Sequence, residues 1–320
     1  MLTIFGCPKP FRGLTAIHQY NSIQSWQNLH PDLQVILVGN EEGIAQASRE
    51  LGVTHAPECE LNEFGTPLVS SIFAQAREHS RHNILCYANP DIILTSSFIS
   101  CLHVALRRGP RFLLVGKRWD LDLDTKLDFQ QPHWEHDLLS YTLAHGKLAT
   151  EWQIDYHCFP KGALFQDMPP FAIGRQKYDN WMIWSARANR IPVIDASSFI
   201  TAIHQNHDYI QNYSHPPESQ KPIWDGPETI KNHEMAGGWP HIYSISDASH
   251  KIRGLDGRSL PYLFPCILPQ IKSRVRRALR SFPVYVACRN ATKMILRGEW
   301  GLAWAKLVKK LNAGRDRTEI

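Results

Sequence analysis

Between residues 2 and 115, short unbroken apolar runs alternate with segments whose apolar residues recur every three or four positions. No other feature constrains the fold as much. The runs cover 2–7, 34–39, 53–55, 84–87 and 111–115, each of strand length. Between them, 16–29 places Ile17, Tyr20, Ile23 and Trp26 on a helical face, and 41–51 ends at Gly52, the residue that commonly closes a helix. A third helix is predicted over 66–79, opened by Thr66-Pro67, and a fourth over 98–107, capped by Ser96 or Ser97. Strands alternating with helices predict an α/β chain with a mainly parallel, doubly wound sheet. Runs that are apolar throughout, rather than at every second position, predict a sheet buried on both faces. Ligands of such sheets bind beyond the carboxyl ends of the strands. The loop Pro8-Lys9-Pro10-Phe11, the turn Gly39-Asn40-Glu41 and the tripeptide Asn89-Pro90-Asp91 are all predicted at that edge. No Gly-x-Gly-x-x-Gly follows the first run and no Gly-Lys-Ser/Thr loop is present, which argues against a dinucleotide enzyme and a P-loop nucleotidase.

Asn89-Pro90-Asp91 follows one apolar run and precedes another, Ile92-Ile93-Leu94. A carboxylate there is costly unless something cationic meets it. Mg²⁺ or Mn²⁺ carrying a diphosphate suits that position, since both ions favour carboxylate oxygens and keep sites open for phosphate. The competing reading is a turn or helix cap. Further on, 116–122 is rich in charge, 155–159 reads as a strand and 160–162 as a turn. Asp179 opens a helix to about 189, 191–195 is a strand, and 200–203 leads into His204-Gln205-Asn206-His207-Asp208-Tyr209. The stretch 215–259 is rich in Pro, Gly, His and Trp, which suits a long lid over a site or irregular packing.

Charge separates body from tail. Residues 270–320 hold 13 of the 35 Lys and Arg but only 3 of the 30 Asp and Glu, so the preceding chain is net acidic. That excludes a general nucleic-acid binder, whose folded domain carries the basic footprint. Two basic amphipathic helices, 269–280 and 300–311, fit either an anionic membrane surface or a solvated helix packed through its apolar stripe. The seven cysteines include no Cys-x-x-Cys pair and sit mostly in apolar runs, as reduced residues of a cytoplasmic protein do. The first five residues are too short and uncharged for a signal peptide, and no apolar stretch nears the ~20 residues that span a bilayer.

The order of these motifs resembles the catalytic half of GT-A-fold nucleotide-sugar glycosyltransferases, including family 2-like enzymes and a bacterial and plant glycosyltransferase-like group. Asn89-Pro90-Asp91 is similar to their Asp-x-Asp motif. Asp179, the helix to Arg190, the strand Val193-Ile194 and His204 follow in the family's order, with Ala172-Ile173-Gly174-Arg175 and Asp179-Asn180-Trp181 adding to the likeness. The resemblance covers roughly 2–209. Two departures stand out: Asn89 replaces the first acid, and Tyr178 stands where a Glu usually precedes the helix-start Asp.

The resemblance implies a Rossmann-like GT-A catalytic domain at 1–214, with a nucleotide-sugar half (1–115) and an acceptor half (116–214). An irregular lid (215–262) and a basic helical tail (263–320) would follow. It implies Mn²⁺ or Mg²⁺ on Asp91 and His204. Pro8, Lys9, Arg12, Glu41, Asn89 and Asp91 would contact the donor, a UDP-sugar foremost. Asp179 would be the base of an inverting transfer to a glycan or lipid-linked acceptor. Lys117, Arg118, Trp119, Asp120, Lys161, Trp181 and His207 would line the sugar or acceptor. The expected location is cytoplasmic, with peripheral attachment at the inner face of the membrane through the tail. Several alternatives remain at this level. They are a retaining transferase needing no base at Asp179, a non-catalytic carbohydrate or nucleotide binder, Asp179 as a plain N-cap, Trp119 and Trp181 as core residues, and His204-x-x-His207 as a zinc pair lacking an evident third ligand.

Overall fold

Alternate residues of each apolar run face opposite sides of one sheet, and both sides are covered. The computed structural model describes residues 1–207 and 226–253, the backbone of 262–265, and Val275. The chain divides into two compact units, Met1–Cys266 and Ile267–Ile320. The basic helices expected in the tail lie outside the described residues.

The main sheet has nine strands: β1 (Leu2–Gly6), β2 (Leu33–Val38), β3 (Thr54–Ala56), β4 (Ile84–Ala88), β6 (Leu113–Val115), β9 (Tyr156–Pro160), β10 (Val193–Asp195), β12 (His250–Arg253) and β13 (Tyr262–Pro265). Their order is β13-β12-β10-β6-β9-β4-β1-β2-β3. Pairing is parallel except where β9 runs antiparallel between β4 and β6, and where β13 closes the edge against β12. This is the α/β, mainly parallel, helix-flanked sheet that the alternation of runs predicts.

Phe5, Ile36, Val38, Leu85, Tyr87, Leu113 and Phe159 point to one face, under α3 (Val69–His79) and α6 (Tyr178–Ala188). Ile4, Val35, Leu37, Cys86, Ala88, Leu114 and Cys158 point to the other, under α1 (Gly13–Gln27), α2 (Ile44–Leu51) and α4 (Ser97–Arg108). Burial on both faces is what unbroken apolar strands require. Phe73 of α3 centres the first face, its ring 5.0 to 5.8 Å from those of Phe5, Tyr87, Phe159 and Phe165. Phe73→Ala is expected to destabilise the protein by about 3–5 kcal/mol; a denaturant titration measures it, and a loss below ~1 kcal/mol would mean that this face is loosely packed. Gly6, at the exit of β1, has no room for a side chain, because a Cβ there would stand 2.6 Å from the Ala88 carbonyl oxygen.

A second, four-stranded sheet in the order β5-β11-β7-β8 comprises β5 (Ile92–Leu94), β7 (Arg118–Leu121), β8 (Lys147–Leu148) and β11 (Ala202–Gln205). The remaining helices are α5 (Trp134–His145) and α7 (Pro227–Met235). No helix among the described residues is long and apolar enough to cross a membrane.

Several boundaries differ from the sequence reading. Thr66-Pro67 does not start a helix: Pro67 bridges Leu61, Leu68 bridges Ala172, and α3 begins only at Val69. Residues 41–43 turn before α2, with Gly43 at φ +86°, where a Cβ would stand 2.7 Å from that of Phe11. Ser96 and Ser97 make no side-chain cap on α4; the Ser97 hydroxyl instead pairs with that of Thr95 at 2.8 Å. The stretch 215–262 is not an irregular lid where it is described, since α7 and β12 belong to the same unit as the sheet. On α1 the buried face is largely polar, carrying His18, Gln19, Asn21, Ser22 and Ser25 beside Ile23 and Trp26. Those groups tie down backbone near the site.

Candidate active site

Asn89-Pro90-Asp91 is a turn between β4 of the main sheet and β5 of the second. The Ile92 N–H donates to the Asn89 carbonyl at 3.0 Å, with proline in the position that favours such a turn. The turn lies beyond the carboxyl end of β4, beside the exits of β1 and β2, which run parallel to it.

The second sheet gathers the other groups by register. His204 of β11 stands opposite Ile92 on one side and Asp120 of β7 on the other. Its Nε2 is therefore 3.8 Å from Asp91 Oδ2, and its Nδ1 is 3.3 Å from Asp120 Oδ1. Just past the strand, His207 places Nε2 3.0 Å from the same Asp91 oxygen. Gln205 locks this corner: its side-chain amide donates to the backbone oxygens of His18 (2.9 Å) and Asp91 (3.2 Å) and accepts from Asn21 (2.9 Å).

Asp91, His204 and His207 present donor atoms within 4.8 Å of one another. Among the described residues, the buried Asp91 Oδ1 has no hydrogen-bond partner. Burial would raise its pKa, but His204, His207 and Lys9 overcome that and hold it well below the usual carboxylate range. Two imidazoles and one carboxylate are a donor set suited to a divalent ion.

Lys9 follows β1. Its backbone is fixed by Gln19, which accepts the Lys9 N–H at 2.7 Å and donates to its carbonyl at 2.9 Å. Its ammonium is pushed down by burial, with Asp91 opposing and Arg175 reinforcing that shift. Lys9 therefore senses the charges of both Asp91 and Arg175. Arg175 is fixed by Glu228 of α7, with Nε at 2.8 Å and Nη2 at 2.6 Å from one carboxylate oxygen, while Asn62 donates to the other at 2.7 Å.

Asp179 lies in the first turn of α6. The helix begins one residue earlier than expected, at Tyr178, after Lys177 in a left-handed conformation at φ +96°. Non-glycine residues with backbone strained in this way cluster at functional sites. The Asp179 carboxyl is half-buried and its pKa is raised to about 7, by burial first and by the nearby Asp155 carboxylate, against the Asn180 N–H and Lys177 that favour its charged form. His157, itself pushed down to about 3 by burial, has Nε2 3.3 Å from the Asp179 backbone oxygen.

A continuous polar chain links the Asp179 helix to the Asp91 cluster. Tyr178 Oη is 3.2 Å from Tyr87 Oη, which donates to Asn89 Oδ1 at 2.7 Å. Asn89 Nδ2 donates to Asp155 Oδ1 at 2.7 Å. Arg118 then bridges Asp155 (Nη1, 3.0 Å) and Asp120 (Nε, 2.7 Å), and Asp120 meets His204. Asn89, expected to face the donor, is thus held by an acceptor bond to Tyr87 and a donor bond to Asp155.

Not every expected residue joins this cluster. Lys161 lies at the opposite edge of the sheet, its Nζ donating to the Ser80 carbonyl at 3.2 Å, because β9 runs antiparallel and its end meets the start of β4. Trp181 is a core residue, with its ring 5.3 Å from Phe171. Arg118 is buried in the ion pairs above rather than offered to a ligand. Arg12 is exposed and pairs with Glu42. Pro8 is buried, Glu41 half-buried at the β2 exit, and Trp119 half-buried between Ile203 and Leu148 in the second sheet. The Lys117 N–H donates to Ser197 at 2.9 Å. Sequence reading missed Asp155, Arg175 and Lys177. For Asp155 a signal existed, because it heads an apolar run as Asp91 ends one.

No protein-family model matches the chain. No curated protein matches it either. Among solved structures, it is similar to glucosyl-3-phosphoglycerate synthase of Mycobacterium tuberculosis, crystallised with Mn²⁺, UDP and phosphoglyceric acid; identity is 13%, coverage 85% of this chain and 90% of that one, and the TM-score 0.45. It is similar to residues 1–349 of Staphylococcus aureus TarS at 10% identity, covering 97% and 88% respectively, with a TM-score of 0.44. A protein assigned as a nucleotide-diphospho-sugar transferase from Desulfovibrio desulfuricans aligns at 9% identity over 74% of this chain and 96% of that one, with a TM-score of 0.42. Likeness at this level is one of chain course, and it assigns no role to any residue here.

Proposed function

We propose that the protein is a GT-A-type glycosyltransferase that moves a sugar from a nucleotide diphosphate to an acceptor hydroxyl, with inversion. The observation that carries this reading is the meeting of Asp91 and His204, remote in sequence, at the carboxyl edge of a mainly parallel sheet, with His207 on the same Asp91 oxygen and the other Asp91 oxygen buried without a hydrogen-bond partner among the described residues. Asp91 and His204, with His207 beside them, would hold Mn²⁺ or Mg²⁺, which would offset the charge gathering on the departing diphosphate. Lys9, which senses Asp91, adds a cation that would suit the phosphates of a UDP-sugar or another nucleotide sugar. Asp179 has the pKa of a base that works near neutrality. Its carboxylate would take the acceptor's proton as that oxygen bonds to the anomeric carbon. The bond to the diphosphate would break on the opposite face, its electron pair leaving with the nucleotide. A glycan or lipid-linked acceptor fits a hydroxyl nucleophile.

Thermal unfolding across a panel of nucleoside diphosphates and sugar nucleotides, with and without Mn²⁺, tests the donor site. A nucleotide at ~100 times its Kd is expected to add about 2.7 kcal/mol of stability. That shift should require the ion and vanish in Asp91→Ala. No response to any nucleotide would sink the transferase reading.

A further inference from the structure

We infer that Asp155 is a positioning residue for Asp179 and the reason that position 89 carries an amide. One buried carboxylate beside β9 thus serves both the Asn89-Pro90-Asp91 turn and the helix-start acid. The word positioning rests on Asp179 being the base of the proposed transfer; the contacts and their charge effects do not.

Register assembles the group. β4 and β9 run antiparallel, with Tyr87 opposite His157 and Ala88 opposite Tyr156. One step further, the Asn89 N–H donates to the Asp155 carbonyl at 3.0 Å. Side chains opposite one another share a face, and so do those two apart on a strand, ~6.8 Å along it. Tyr87 and Phe159 lie in the core under α6, whereas Tyr156 and Cys158 lie on the other side of the sheet. Asp155 and His157 therefore share the α6 face with Tyr87 and Asn89. The first turn of α6 completes the group: His157 Nε2 is 3.3 Å from the Asp179 backbone oxygen, and Tyr178 Oη is 3.2 Å from Tyr87 Oη.

The identity of residue 89 follows from Asp155. That carboxylate is buried and pairs with Arg118 at 3.0 Å, so it only accepts hydrogen bonds. Asn89 meets it with Nδ2 at 2.7 Å and turns Oδ1 to the Tyr87 hydroxyl, also at 2.7 Å. An ionised acid at 89, as in the resembling Asp-x-Asp pattern, has no proton to give. Two carboxylates would then stand at hydrogen-bond distance in a poorly hydrated corner and repel one another.

The same charge acts on Asp179, whose pKa is raised to about 7 by burial first, with Asp155 adding to the rise as a like charge. The other titratable groups around Asp179 come from every element near it. Lys177 and Tyr178 stand at its own helix start, His157 on β9 and Tyr87 on β4. Asp195 ends β10 and is met by Lys251 at 3.7 Å. His241 stacks on Trp184 of α6, and the Tyr243 carbonyl accepts from Asn180 at 2.7 Å. Lys177 opposes Asp155 by favouring the charged form of Asp179.

The full chain carrying ¹³C-labelled aspartate is titrated by carboxyl NMR, with the Asp179 signal identified by its absence in Asp179→Asn. Its midpoint is expected near 7 in the wild type. In Asp155→Asn it should fall by ~0.5 of a pH unit or more, because the like charge is gone while Arg118 remains. Asn89→Asp, which recreates the acid of the resembling pattern, is expected to lower the melting temperature by ~3 °C or more. In the Asp155→Asn background the same change should cost less than half as much, because the amide then at 155 donates to the acid at 89. Should Asp155→Asn not fold, the melting temperature of Asn89→Asp decides alone. An Asp179 midpoint unmoved by Asp155→Asn overturns the inference. So does Asn89→Asp melting at or above the wild type, or costing as much in both backgrounds. These shifts without a thermal response to any nucleotide leave the coupling standing and sink the transferase reading, so the two failures are distinguishable.

Discussion

Asp179→Asn is expected to lower transfer activity by ~10²–10⁴-fold, the contribution of a positioned general base, while making the folded protein more stable above pH 7. The two effects share one cause. The native carboxyl has its pKa raised to about 7, from an ordinary 3.8, by burial and by Asp155. Between these values the folded protein binds more protons at this position than the unfolded chain does. The stability that a neutral Asp179 contributes is complete below about pH 4 and lost as pH rises through 7. Asparagine carries no charge at any pH, so the variant should lack that decline. In the wild type, kcat/KM should rise through about pH 7 as the base ionises. Activity against pH and unfolding against pH, on both proteins, check this together. A variant that keeps its activity would place the base elsewhere or show that the transfer retains configuration. A variant with lower stability at pH 8 would show that the aspartate is structural.

Arg118→Leu is expected to cost about 3–5 kcal/mol of folding stability, because it leaves two carboxylates, Asp155 and Asp120, facing one another in a poorly hydrated space. Both pairs are close, at 3.0 and 2.7 Å, and Arg118 is only 6% exposed, so solvent screens little. Arg118→Lys should recover only part of the loss, since an ammonium cannot span two carboxylates as the planar fork does. Chemical denaturation at pH 7 measures both variants. A loss under ~1 kcal/mol for Arg118→Leu would mean that water reaches the cluster and that the polar chain between Asp179 and Asp91 is loosely held.

The strands were legible because burial on both faces leaves an unbroken apolar run, and few other local structures of that length do. Asp91 was legible for the complementary reason, a charge where such a run ends. Helix starts were poorly legible. Thr66-Pro67 has the composition of a helix entry, but the backbone there bridges to Leu61, and Leu68 to Ala172, so contacts across the fold outweigh local preference. The polar buried face of α1 was hidden too, since a period count follows apolar residues, and Gln19 and Asn21 are buried for their hydrogen bonds. Trp181 shows the limit for aromatics: its spacing is the same whether it stacks on a sugar or packs edge-on against Phe171.

By itself the sequence determined the class of sheet and the presence of an acidic turn at the carboxyl edge of its strands, because these follow from the order and hydropathy of successive segments. Tertiary structure alone decided strand direction and partnership. An apolar run carries no mark of its direction, so Lys161 could not be placed before β9 was seen to run antiparallel, away from the site. Nor could one predict that β11 would pair between β5 and β7, setting His204 between Asp91 and Asp120, with His207 closing on the same oxygen from 116 positions away. Register is set by backbone hydrogen bonds between segments remote in the chain, and only the folded sheet states it.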